Sequence, residues 1–332
     1  MHAIGFVVFP RFDLLAFSAI TALEAANRVL GEPFYELTLL SETGGPVTAS
    51  AGIRVETQAF GEAVFDTVLF GSGIETDLSS PGLIAFVRRS LSSARRIIAP
   101  CTGAFLLAEA GLLDGRRATT HWRFARELQR RFPRAAIEAD QIFVVDGPVW
   151  TSAGMAATID LALALIEQDH GTAVSRDVAR RLVVYHRRAG AQPQISALLE
   201  LQPKSDRIRK VLDYSRSHLG NALSVEELAD VAGLSPRQFS RAFSAETGRS
   251  PARAVEQLRV EAARLLLEQG RLQMDVIARE VGFADRERMR RAFVRTVGQP
   301  PRAVRRVGRA GRAQPAAADT AAAEGWQEPS AA

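Results

Sequence analysis

Two features of this 332-residue chain carry residue types that can do chemistry. The first is a lone cysteine. Residues 96–99 (RIIA) read as a buried strand, Pro100-Cys101-Thr102-Gly103 follows at once, and 104–110 is a helical run. Strand, sharp turn and helix place Cys101 at a helix N-terminus, whose positive end lowers a thiol's pKa and offers N–H groups to an anion. This is the logic of a nucleophile elbow with cysteine in place of serine. The plainer reading is a small buried hydrophobe, and spacing alone leaves both open.

The second feature is a duplication. Leu228, Ala229, Gly233 and Arg237 match Ile277, Ala278, Gly282 and Arg286 at an offset of 49. Arg241, Ala242, Phe243, Gly248 and Pro251 match Arg291, Ala292, Phe293, Gly298 and Pro301 at an offset of 50. Each copy has the form helix, glycine turn, helix, with Gly233 and Gly282 at the turns. Leu234, Phe239 and Phe243, like Phe283, Met289 and Phe293, are set to pack the second helix onto the first. That leaves Arg237, Ser240 and Arg241 outward in one copy, and Arg286, Glu287, Arg290 and Arg291 in the other. Arginine can grip guanine or phosphate, and glutamate can accept from a cytosine amine. A helix presented this way is the recognition helix of a helix-turn-helix. One copy alone reads equally as a plain helical hairpin; two copies joined by a long helix do not.

The elements that must position these residues divide the chain. Apolar runs at 3–9, 35–41, 67–70, 96–99, 142–145 and 149–152 read as strands, the last two as a hairpin around Asp146-Gly147-Pro148. Helical patterns at 14–30, 81–91, 104–110 and 154–168 alternate with them. Such alternation predicts a flavodoxin-like α/β sandwich, a mostly parallel sheet with helices on both faces. Residues 172–188 are helical and basic, and 190–203 read as a linker in which 195–201 can form a turn of helix. From Ser205 strand patterns vanish, and helices are expected near 206–218, 225–232, 236–246, 252–268, 275–281 and 286–296, an all-α domain. Ser224 with Glu227 fits a capping box, and Pro236 suits a first helical turn. The expected organisation is an α/β domain over 1–190, a linker over 191–204, a helical domain over 205–307 and a disordered tail over 308–332. Asp160 is expected to bond neighbouring backbone, while Arg187-Arg188 either meet nucleic acid or cap the 172–188 helix.

Charge agrees with this division. The chain carries 42 Lys+Arg against 37 Asp+Glu, a formal +5. Residues 1–203 are net −2, residues 204–312 net +10, and residues 313–332 net −3. An excess of ten positive charges over about a hundred residues is an electrostatic footprint for polyanions. One cysteine excludes an intrachain disulfide framework and a multi-cysteine zinc site. No apolar run is long enough for a membrane span, and MHAIGFVVFPRFDLL lacks the basic start and cleavage site of a signal peptide. A cytoplasmic protein without cofactor or metal is expected.

The helical half resembles the DNA-binding domain of the AraC/XylS transcription regulators. The residues that carry this are SVEELADVAGLSPRQFSRAF, the helix around VEQLRVEAARLLL, and DVIAREVGFADRERMRRAF ending in Gly298-Gln299-Pro300-Pro301. The resemblance implies two recognition helices held in successive major grooves on one face of double-stranded DNA, about 34 Å apart. Ala303-Val304 stand where that family usually has an aromatic residue. The α/β half resembles the DJ-1/PfpI superfamily, whose fold is shared with class I glutamine amidotransferases. Its marks are Cys101-Thr102-Gly103-Ala104-Phe105, Gly111-Leu112-Leu113-Asp114-Gly115, Thr119-Thr120-His121-Trp122, and Thr151-Ser152-Ala153-Gly154 with Asp160. This order of domains resembles the GlxA group of transcription regulators.

The resemblance implies a homodimer that senses a small, possibly nitrogen-containing, metabolite near Cys101, Thr102, Gly73 and His121. Active superfamily members often place His after the cysteine or an acid from the first helix beside it. Here Thr102 and Ala16 stand at those places, and Asp13 and Glu24 fall out of the expected register. His121 is expected to be structural. These departures favour a sensor over a catalyst and leave Cys101 a candidate catalytic remnant. The rival readings are a thiol enzyme of amidase or hydratase type joined to a DNA-binding module, and a redox sensor using a low-pKa Cys101.

Overall fold

In the computed structural model the described residues are 1–310 apart from residues 78, 186, 187, 196–200, 202 and 271. Ten strands form two sheets among them. In chain order the strands are β1 (His2–Val7), β2 (Tyr35–Ser41), β3 (Thr43–Thr48), β4 (Arg54–Ala59), β5 (Thr67–Phe70), β6 (Arg96–Pro100), β7 (Arg117–Ala118), β8 (Ala136–Ile137), β9 (Phe143–Asp146) and β10 (Val149–Ser152). The main sheet runs β3-β4-β2-β1-β5-β6-β10-β9. Its inner pairings are parallel, with Ile4 opposite Leu37 and Thr67, and only β3 and β9 at the edges run antiparallel. β5 and β6 are buried along their whole length, the pattern of strands covered on both faces.

The helices of this half are α1 (Ser18–Leu30), α2 (Pro81–Ser93), α3 (Gly103–Glu109), α4 (Trp122–Arg131) and α5 (Ala157–Arg181). α1 buries Ala19, Ala22, Leu23 and Ala26, one helical stripe. With Leu161 and Leu165 of α5 it covers the face showing Ile4, Leu69 and Ile98. On the other face Phe86 of α2 meets Phe70 edge to face. The expected helix over 14–30 begins as a 3-10 turn, Leu14–Phe17, capped by Asp13. The runs 154–168 and 172–188 join as α5, bent where Gly171 leaves helical geometry at φ 80°. α5 stops at Arg181, so Arg188 does not cap it. Instead the Arg188 guanidinium pairs with buried Asp160 at 2.7 Å, and its backbone N–H donates to the same carboxylate at 2.8 Å. Asp160 thus binds backbone 28 residues away.

At the N-terminal ends of the strands lies a buried polar group. Arg96 pairs with Asp169 at 2.8 Å, and Tyr35 donates its hydroxyl to Asp169 at 3.0 Å. Arg96 also donates to His2 Nε2 at 3.1 Å. Arginine has no acceptor, so that nitrogen is unprotonated.

The second half is helical: α6 (Asp206–Ser217), α7 (Val225–Ala232), α8 (Pro236–Thr247), α9 (Pro251–Gln269), α10 (Met274–Glu280), α11 (Arg286–Val297) and α12 (Pro301–Ala310). Two small cores share α9 as a spine. Ala254, Val255 and Leu258 belong to the first core, with Phe239 and Phe243. Val260, Ala263 and Leu267 belong to the second, with Met289, Phe293 and Val304. Val304 therefore fills part of the place the resemblance assigns to an aromatic. Gly233 and Gly282 both sit in the left-handed region, at φ 65° and 84°, as turns between helices demand.

Of the expected capping box at Ser224 only half forms. Ser224 accepts from Glu227 N–H, but the Glu227 carboxylate takes the Tyr214 hydroxyl at 2.9 Å. The full box is one unit later, Ser235 with Gln238, ahead of Pro236. The expected tail began at 308, yet α12 runs to Ala310; the rest of that tail, and most of the helical turn expected over 195–201, lie outside the described residues.

Candidate functional site

The Cys101 turn is an elbow in geometry. β6 ends at Pro100, α3 starts at Gly103, and Cys101 between them takes φ 53°, a left-handed value that costs a non-glycine residue about 1–2 kcal/mol. Its surroundings hold it there. The Cys101 N–H donates to Ser152 O at 2.8 Å, and Thr120 donates its hydroxyl to Cys101 O at 2.7 Å. A Cβ on Gly154 would stand 2.2 Å from the Cys101 Cβ, so only glycine fits against the turn.

Thr102 and Gly73, both expected at the site, meet directly. The Thr102 hydroxyl donates to Gly73 O at 2.8 Å and accepts from Gly73 N–H at 2.9 Å. His121 caps α4, its Nδ1 accepting from Arg123 N–H at 3.3 Å, and its ring lies against Trp122 and Phe124. Burial and the Arg123 charge lower its pKa from 6.5. The Thr120 bond to Cys101 O ties the residue just before His121 to the elbow.

The thiol itself corrects an expectation. Burial pushes Cys101 up to about 11, and the charge of Asp13 adds to the rise, while hydrogen bonding to Thr102 opposes it. The end of a seven-residue helix does not offset the loss of water around a thiolate in a closed site. Asp13, set aside from sequence because of its register, is thus close enough to act on the thiol.

Four apolar side chains that sequence reasoning did not select are exposed just after residues of this region. Leu15, Ile74, Trp122 and Met155 are 45%, 57%, 53% and 41% exposed. Each stands one or two residues after a site residue: Asp13, Gly73, His121 and Gly154.

In the helical half, Arg237 and Arg241 of α8 are exposed, with Ser240 partly so, opposite buried Phe239 and Phe243. In α11 the exposed set is Arg286, Glu287, Arg290 and Arg291, opposite Met289, Ala292 and Phe293. Glu287 receives two bonds from Arg290, both 2.8 Å, which hold its carboxyl below the usual range. Sequence reasoning missed a third group. A cleft of about 820 Å³ beside α11 is lined by Arg279, Arg288, Arg291 and Arg295, with Arg259 and Glu256 from α9. Arg259 donates to the carbonyls of Leu219, Asn221 and Ala222, fixing the α6–α7 loop as the opposite wall. Arg295 pairs with Glu256 at 2.6 Å, so arginines outnumber the one acid that faces them.

Among the described residues no His/Cys/Asp/Glu group could hold a metal, and no helix is long and apolar enough to cross a membrane.

Comparison with known proteins bears on both halves of the chain. The DJ-1/PfpI family matches residues 17–168, and a helix-turn-helix domain family matches residues 228–307. The HTH-type transcriptional regulator GlxA of Rhizobium meliloti is 32% identical over 316 residues, 92% of this chain and 96% of the relative. The HTH-type transcriptional regulator GbdR of Pseudomonas aeruginosa is 30% identical over 308 residues, 91% of this chain and 83% of the relative. A crystal structure of an AraC family transcriptional regulator from Pseudomonas putida superposes with a TM-score of 0.50 at 22% identity, covering 55% of this chain and 100% of that one. It shares the fold. The elbow on a parallel sheet, the doubled helix-turn-helix and near full-length similarity to these regulators lead to one conclusion: this chain belongs to the HTH-type transcriptional regulators that join a DJ-1/PfpI domain to an AraC-type DNA-binding domain.

Proposed function

We propose that this regulator, a cytoplasmic homodimer, reads a specific duplex sequence through α8 and α11 and adjusts that binding to a small molecule held at the Cys101 turn. Arg237, Ser240 and Arg241 would contact bases or phosphates in one major groove, and Arg286, Glu287, Arg290 and Arg291 in the next. Arg279, Arg288 and Arg295 would grip the sugar-phosphate backbone beside α11. The observation that carries this reading is the duplication itself: two helices, each with aromatic or Met packing beneath and exposed arginines above, on one shared spine.

For the effector, the exposure of Leu15, Ile74, Trp122 and Met155, each just after a residue of the site region in sequence, supports a molecule with an apolar body. Its polar end, nitrogen-containing by resemblance, would reach the floor made by Cys101, Thr102, Gly73 and His121. Covalent chemistry is disfavoured. A thiol near 11 is thiolate in only about one part in ten thousand at neutral pH, and Thr102 is committed to Gly73.

The test is a thermal-shift screen of the full chain against small amphiphilic metabolites, repeated with Trp122→Ala and Met155→Ala. A hit should stabilise the wild type by mass action, lose affinity in both variants, and change duplex affinity. A hit indifferent to both variants would remove these side chains from the site.

A further inference from the structure

The stretch that joins the two halves is not a free tether. After α5 it is fixed at Arg188 by Asp160, and Ile142 N–H donates to Gly190 O at 2.9 Å and to Gln192 O at 3.1 Å. Next comes Gln194, which puts its whole side-chain amide to use. Its NH2 has two hydrogens to share among acceptors at Thr120 O (2.8 Å), Gln141 O (3.0 Å), Ala139 O (3.1 Å) and Thr119 Oγ1 (3.3 Å). Its Oε1 accepts from Trp122 N–H at 2.8 Å, one of the first N–H groups of α4 that no helical carbonyl can satisfy. Thr120, held this way, donates its own hydroxyl to Cys101 O. Only one residue, Thr120, therefore stands between the inter-domain stretch and the elbow. Seven residues further on, Leu201 is buried in the first helix-turn-helix core. Seven residues reach at most about 24 Å, so the two anchors cannot part by more than that.

We infer that Gln194 is the positioning residue through which the Cys101 site and the DNA-binding half act on each other: it reads the placement of Thr119–Trp122 seven residues ahead of the buried Leu201. This deepens the proposed sensing function and rests on it. A ligand that moves His121 and Trp122 alters the donors and acceptors Gln194 needs. Seating or release of that one amide then changes how freely the helical half adjusts to DNA. Such coupling is reciprocal, so DNA bound at one end must change the wall at the other.

That reciprocity allows a test with no effector in hand. Cys101 is the only cysteine, so its alkylation by iodoacetamide, followed by mass spectrometry, reports opening of the wall alone. The full chain is compared with and without a saturating duplex that it has selected from a random pool. In the wild type the duplex should change the alkylation rate by about five-fold or more. In Gln194→Ala the duplex should still bind and leave the rate unchanged. Gln194→Glu keeps an acceptor for Trp122 N–H but loses the donors to three carbonyls; it carries the same prediction should the alanine variant not fold. A wild-type duplex effect that persists in a folded variant overturns the inference, as does a bound duplex with no effect in the wild type. A chain that binds no duplex would instead strike the DNA-binding reading itself.

Discussion

Gly233 and Gly282 occupy the same position in the two repeats, yet replacing each by alanine should have different costs. Both residues are left-handed, which charges an alanine about 1–2 kcal/mol, offset in part by a stiffer unfolded chain worth about 0.4–1 kcal/mol. At Gly233 nothing stands within 4 Å of the added Cβ, so about 1 kcal/mol is the whole effect. At Gly282 the Cβ would sit 1.9 Å from Leu219 O and 2.8 Å from the Arg259 guanidinium. Leu219 O already accepts from Arg259 at 3.2 Å, so moving it disturbs the loop that walls the arginine cleft. Overpacking adds about 1–3 kcal/mol and the weakened charged hydrogen bond about 1 kcal/mol more. Gly282→Ala should therefore lose about 3–5 kcal/mol, a large share of a domain's stability. Hydrogen exchange of the α10 and α11 amides in the full chain measures this locally. Equal losses at the two glycines, or a loss near 1 kcal/mol at Gly282, would refute the close approach of the second turn to the α6–α7 loop.

Other expectations follow from the same contacts. Alkylation of Cys101 should be slow at pH 7 and still rising at pH 10, because burial holds the thiol near 11; a plateau below pH 9 would contradict this. Burial is the first cause that lowers His2, His121 and His170 below 6.5, so the folded chain binds fewer protons than the unfolded one in mild acid. Stability of the α/β half should then be full above 6.5 and fall as pH drops below it, a trend that His2→Gln should weaken in urea titrations at pH 7 and pH 5. Arg279→Ala and Arg288→Ala should each reduce the salt dependence of duplex binding by about one phosphate contact and weaken selected and random duplexes alike. Arg237→Ala should instead lose about 1–3 kcal/mol of discrimination between them.

Much of the architecture was legible because burial leaves a mark on composition. β5, β6 and β10 are enclosed, and their apolar runs stand out. β3 and β4 lie at an edge, and Gly44-Gly45-Pro46 with Glu56 and Gln58 reads as loop. α4 was missed because WRFARELQRR buries only Ala125 and Leu128. The helix-turn-helix pair was legible from repetition, which constrains two copies at once. At the elbow, sequence conveyed the turn but not the degree of enclosure, and enclosure sets the direction of the thiol's shift. Arg188 and Gln194 were opaque for a related reason: their partners lie 28 and more than 50 residues away, where no local spacing points.

The most direct measurement is a hydroxyl-radical footprint of the full chain on a duplex it has selected. Two recognition helices on a shared spine should protect two patches on one face, with centres about 10 base pairs apart, and Arg237→Ala and Arg291→Ala should each fade a different patch. A single patch, or two that fade together in both variants, would contradict a reading in which α8 and α11 enter successive grooves.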